Sequence, residues 1–107
     1  MLRYLLRGDK MQEKAIEQRL VQSVKKMGGQ CWKFVSPGNV GVPDRILLFH
    51  GGRVAFVEVK APGKKPRPVQ IAMHRVLTGL GFRVFVLDDV NQIEVILNEM
   101  QKAGDVK

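Results

Sequence analysis

The stretch RILLFHGGRVAFVEVK, residues 45 to 60, constrains this chain more than any other. Two runs of apolar and β-favouring side chains flank His50, Gly51 and Gly52, the pattern of a glycine-containing β-hairpin. Strands this apolar belong in a core. A chain of 107 residues can supply one, burying roughly two-thirds of its unfolded surface in a single domain.

The remaining elements follow from spacing. Ile16, Leu20, Val24 and Met27, with Ala15 and Val21, predict a helix over 12–27 that Gly28 and Gly29 terminate. CWKFV, residues 31–35, reads as a strand and SPGNVGVP as the loop after it. APGKKPRP is a second loop, and Pro68 opens a helix whose broad face carries Gln70, Met73, His74, Leu77 and Leu80. RVFVL, residues 83–87, is a fourth strand. Asp88 and Asp89 form a turn and cap before a last amphipathic helix built on Ile93, Ile96, Leu97 and Met100. The order is helix, three strands, helix, strand, helix, an α/β chain with a four-stranded mixed sheet flanked by helices. Residues 1–10 are expected to be an N-terminal extension, with Met11 a plausible natural start, residues 11–101 the domain, and 102–107 a polar tail.

Eighteen Lys and Arg against ten Asp and Glu leave a formal charge of +8, which favours a polyanionic partner, nucleic acid above all; a basic surface kept for solubility is the plainer alternative. The lone Cys31 excludes an internal disulfide framework and a cysteine-built zinc site. No apolar run is long enough to span a bilayer, so a cytoplasmic protein with no membrane partner is expected.

The polar residues of the hairpin need explaining. Side chains alternate along a strand, so Glu58 and Lys60 share a face, while Val57 and Val59 take the other. If the connection is the three residues 50–52, Phe49 pairs with Arg53 and Asp44 lies directly opposite Glu58; a two-residue turn would set Asp44 against Val59. Two facing carboxylates repel and need a neutralising charge. Lys60 offsets one, and a hard divalent cation such as Mg²⁺ suits the pair better. The alternative is a turn-capping Asp44 and a strand-end ion pair between Glu58 and Lys60. In the first helix Glu13 and Glu17 fall within the apolar stripe, so a third acid can face the same cluster. Glu17 is the better candidate, because Glu13 lies where the helix dipole accounts for it.

PD at Pro43 and Asp44, followed by EVK at 58–60, resembles the motif of the PD-(D/E)xK nuclease superfamily. With GVPDR, FVEVKAPG, Gln70 early in the next helix and IEQRL in the first, the chain is similar over residues 11 to 97 to the VRR-NUC family, particularly its small stand-alone phage and bacterial members. The resemblance implies a restriction-endonuclease-like αβββαβα core and an endodeoxyribonuclease that uses Mg²⁺ or Mn²⁺ and leaves 5′-phosphate ends. It implies that Asp44, Glu58 and the main-chain carbonyl of Val59 hold the metal, that Glu17 reaches it directly or through water, and that Lys60 orients or activates the attacking water. Gln70 is then expected to position Lys60 or the nucleophile. It further implies a homodimer similar to Holliday-junction resolvases, acting on branched or four-way DNA in the cytoplasm of a bacterial or phage-infected cell.

Lys33, Arg45, Lys64, Lys65 and Arg67 lie on or beside the loops at the expected site and are candidate phosphate contacts. No base-reading helix is apparent, which favours structure-selective cutting. His50 and His74 read as a turn residue and a helix-surface or core-edge residue. The segment MLRYLL and the final helix are the candidate dimer surfaces. A non-catalytic DNA-binding module with a nuclease-like fold, or a flap- or nick-directed nuclease, are the competing readings.

Overall fold

Seven elements follow one another in the expected order in the computed structural model, which describes residues 2–105 and the side chains of residues 8–102. They are α1 (Leu2–Lys26), β1 (Gln30–Lys33), β2 (Arg45–Phe49), β3 (Arg53–Val59), α2 (Pro68–Gly79), β4 (Arg83–Leu87) and α3 (Asn91–Asp105). The strands form one mixed sheet in the order β1-β2-β3-β4, antiparallel except for the β3–β4 pair. The parallel pair requires a crossover, and α2 supplies it.

Phe49 pairs with Arg53, so the hairpin connection is the three residues His50, Gly51 and Gly52. Both glycines adopt positive φ, +83° and +73°, a conformation that costs other residues about 1 kcal/mol or more each. The odd length sets the register: Arg45 faces Val57, and continuing the ladder one step sets Asp44 opposite Glu58.

Alternation then sorts the side chains. Leu47, Phe49, Ala55, Val57, Val59 and Leu87 pack with Ile16, Leu20 and Val24 of α1 and with Ile93, Ile96 and Met100 of α3. Phe56 and Glu58 point to the opposite face. There Phe56 is sandwiched by Phe34 and Phe82, at ring-centroid distances of 5.3 and 5.5 Å. α2 lies on this second face, its Gln70 and His74 against Glu58.

Some details differ from the spacing-based expectation, β1 among them, which spans Gln30–Lys33 rather than 31–35. α1 runs without a break from Leu2, because Gly8 costs an exposed helix only about 1 kcal/mol and does not interrupt it. α2 ends at Gly79, which leaves Leu80 as its exposed cap rather than part of its apolar face. α3 continues to Asp105, four residues into the expected tail. The side chains of residues 1–6, offered above as a dimer surface, lie outside the described residues. Among the described residues no helix is long and apolar enough to cross a membrane.

Candidate active site

Asp44 immediately precedes β2 and is held from both sides. Its main-chain carbonyl accepts the Phe34 amide at 2.8 Å, continuing the β1–β2 ladder, and its Oδ2 accepts the Val59 amide at 2.7 Å. The carboxylate thus does for the end of β3 what a next ladder residue of β2 would have done. In a strand the N–H and C=O of one residue point the same way, so the Val59 carbonyl is directed to the Asp44 side as well.

Glu58 is buried, only 1% exposed, on the α2 face. Four side chains surround it. Gln70 Nε2 donates to Oε2 at 3.2 Å, Lys60 Nζ lies 3.4 Å from Oε2, and His74 Nε2 lies 3.6 Å from Oε1. Asp44 is the fourth, opposite Glu58 in the β2–β3 register. Burial first, and then the Asp44 carboxylate, push the Glu58 carboxyl up to about 7, against the pull of Lys60. Burial and Lys60 hold His74 below its ordinary range, so its ring is neutral near pH 7.

Gln70 belongs to the first turn of α2, where its Oε1 also accepts the Arg67 amide at 2.8 Å, the reach-back half of a capping box. One side chain therefore caps the helix with one end and holds Glu58 with the other. Gln70, expected to position Lys60 or the nucleophile, makes its side-chain contact with Glu58, which in turn pairs with Lys60. Gly41, at φ +89°, sets the preceding loop directly on this turn: a Cβ there would stand 2.6 Å from the Val69 carbonyl oxygen.

Glu17 is held in an ion pair. Its Oε2 accepts from Arg45 Nε at 2.8 Å, and Arg45 also reaches the Cys31 carbonyl at 3.4 Å. The two charges neutralise each other in a half-buried pair, which engages Glu17 with Arg45 beside Asp44. Burial foremost, against the pull of Arg45, raises the Cys31 thiol to about 11, which leaves it a poor nucleophile. Glu13 feels the site's charges: burial raises its carboxyl first and the Asp44 carboxylate next, with Lys60 opposing. Lys33, Lys64, Lys65 and Arg67 are exposed, and Lys64 lies 3.4 Å from Asp9.

Among the described residues no third His, Cys, Asp or Glu joins Asp44 and Glu58 in a ready-made ligand cluster. The pair nevertheless suits a hard divalent cation that keeps several waters, which needs only one or two carboxylates. Two carboxyl groups set opposite one another by the strand register, one of them buried and with Oε1 lacking any hydrogen-bond partner, are the observation that carries this fit.

His74 is the residue that sequence reasoning placed at a helix surface or core edge and that the fold brings to the centre. The available signal was its spacing: Gln70 and His74 are four apart and stack on one helix face.

The VRR-NUC domain family model matches residues 3–90 of the chain. "Putative nuclease p44" of Acyrthosiphon pisum secondary endosymbiont phage 1 is 51% identical over 78 residues, covering 73% of this chain and 84% of that protein. A solved structure described as a VRR_NUC domain superposes with a TM-score of 0.76 at 26% identity, covering 81% of this chain and 95% of that one.

Proposed function

The chain belongs to the VRR-NUC domain family, and from that premise we propose that it is a Mg²⁺- or Mn²⁺-dependent endonuclease that hydrolyses phosphodiester bonds in branched DNA. The observation that carries this reading is the buried Glu58 carboxyl set opposite Asp44 by the strand register, with Lys60 3.4 Å away. A basic binding module would gain nothing from two facing carboxylates, which repel DNA as well as each other.

Asp44, Glu58 and the Val59 carbonyl would hold the cation, and Glu13, whose carboxyl feels Asp44 and Lys60, would assist through water while Glu17 pairs with Arg45. When bound, the cation would polarise a non-bridging phosphate oxygen and make a bound water more acidic. Lys60, anchored by Glu58 Oε2, keeps its ammonium at the same spot, where it can orient the attacking water and offset charge on the phosphate. Gln70 fixes the Glu58 carboxylate, and through it the place of Lys60. Lys33, Lys64, Lys65 and Arg67 are exposed and available to DNA phosphates, contacts that position a duplex without reading its sequence.

Preference for four-way junctions and action as a homodimer extend the same reading. Two-fold symmetry matches two such sites to two strands, and a single small domain has little surface with which to grip a branched substrate. A panel of four-way junction, flap, nicked and linear duplex DNA with purified protein and Mn²⁺ tests this, with solution mass measured in parallel. The expected result is paired cuts in the junction with 5′-phosphate ends, lost in Lys60→Ala while DNA binding persists. Wild-type protein that cuts none of the four overturns the reading.

A further inference from the structure

Glu58 Oε1 and His74 Nε2 are the buried side-chain atoms without a hydrogen-bond partner among the described residues, and they face one another at 3.6 Å. We propose that His74 is a positioning residue for Glu58, its Nε2–H donating to Oε1 so that α2 holds both carboxylate oxygens, Gln70 on one and His74 on the other. The inference rests on the metal-dependent reading above and names a residue that reading does not use.

The geometry of α2 carries it. Gln70 and His74 are one helical turn apart on the same face, and the carboxylate they address is nine-tenths or more buried. The Gln70 amide already donates to Oε2 at 3.2 Å. The His74–Oε1 separation exceeds a hydrogen bond by about half an ångström, a closure within the reach of a side-chain torsion. A donor on each oxygen fixes the plane of the carboxylate and leaves its remaining lone pairs aimed toward Asp44 and Lys60. Neighbours of this kind orient a metal-holding carboxylate, and their loss typically weakens metal binding by about 10- to 100-fold. A hard, oxygen-preferring cation has little use for the imidazole as a direct ligand, which favours donor over ligand as the role of His74.

His74 itself is 12% exposed, and its outer edge lines an open, mostly apolar groove shared with Pro66, Ile71, Arg75 and Val86. The ring thus spans from the surface to Glu58, and a similar ring without nitrogen can occupy its space.

The test compares wild type, His74→Phe and His74→Gln, each first shown to be folded by thermal unfolding. Calorimetric titration of DNA-free protein with Mn²⁺ should show binding weakened about 10- to 100-fold in His74→Phe. It should recover most of that loss in His74→Gln, whose amide N–H reaches the position of Nε2. Cleavage should fall in kcat with KM for DNA little changed. Long-range proton–nitrogen NMR of the wild-type ring should find the proton on Nε2, before and after Mg²⁺ is added.

His74→Phe binding Mn²⁺ within twofold of wild type overturns the proposal, as does His74→Gln failing to improve on it. A ring protonated only at Nδ1, or an Nε2 that loses its proton when Mg²⁺ binds, overturns it in favour of packing or direct ligation. Wild-type protein that shows no saturable Mn²⁺ binding overturns the metal reading itself and this inference with it.

Discussion

Asp44 Oδ2 accepts the main-chain amide of Val59 at 2.7 Å, which locks a carboxylate to the strand end that carries its acidic partner, Glu58. The bond has a structural and a chemical side. The first needs only an acceptor, whereas the second needs the charge.

Asp44→Asn separates them. The side-chain carbonyl can still accept the Val59 amide, and the repulsion with Glu58 disappears. Metal-free Asp44→Asn should therefore be more stable than wild type by about 1 kcal/mol while losing Mn²⁺ binding and cleavage. Asp44→Ala should lose stability as well, because the Val59 amide is left without its acceptor. Urea unfolding of the three proteins alongside Mn²⁺ calorimetry checks both halves, and an asparagine variant less stable than wild type would show that the repulsion is not felt.

The Glu58 carboxyl predicts an inverse dependence of stability on pH. It titrates at about 7 in the folded protein against an ordinary 4.5, so between those values the fold keeps a proton that the unfolded chain has lost. Its stabilising contribution is complete below pH 4.5 and fades as pH rises through about 7, by up to about 3 kcal/mol. Glu13 acts in the same sense, and His74, held neutral, in the opposite sense below its ordinary 6.5. Subtracting the pH profile of Glu58→Gln isolates the Glu58 part, and a flat difference between pH 5 and 8 would contradict it. Mn²⁺ competes with that proton, so it should raise the melting temperature more at pH 8 than at pH 5.5.

Glu13 and Glu17 should divide function from stability. Glu17→Gln leaves the half-buried Arg45 without its counter-charge and should cost about 1–3 kcal/mol, with little change in cleavage by the folded fraction. Glu13→Gln should cost little stability and reduce Mn²⁺-dependent cleavage tenfold or more. The reverse pattern would put Glu17 back at the site.

Gly41 and Gly52 make a matched pair. Both have positive φ, +89° and +73°, but a Cβ at Gly41 would strike the Val69 carbonyl while one at Gly52 meets nothing within 4 Å. Gly52→Ala should cost about 1 kcal/mol and leave metal affinity alone. Gly41→Ala should cost about 2–4 kcal/mol and weaken Mn²⁺ binding, because the loop leading to Asp44 is pushed off the turn that holds Gln70. Equal effects at the two positions would argue against the loop–helix contact as the link between them.

The sequence by itself determined the order of elements and the face each site residue occupies. Alternation in RVAFVEVK is enough to put Glu58 and Lys60 together, and an odd-length turn at His50-Gly51-Gly52 is enough to set Asp44 opposite Glu58, because both are local consequences of strand geometry. Only the tertiary structure decided what surrounds that pair. Glu13 and Glu17 lie one turn apart in the same stripe, and which of them meets Arg45 depends on how α1 crosses the sheet, a matter of packing that no periodicity encodes. His74 reads as an ordinary helical residue until α2 is laid across the second face of the sheet. The crossover between parallel β3 and β4 places it there, against a carboxylate sixteen positions away in the chain.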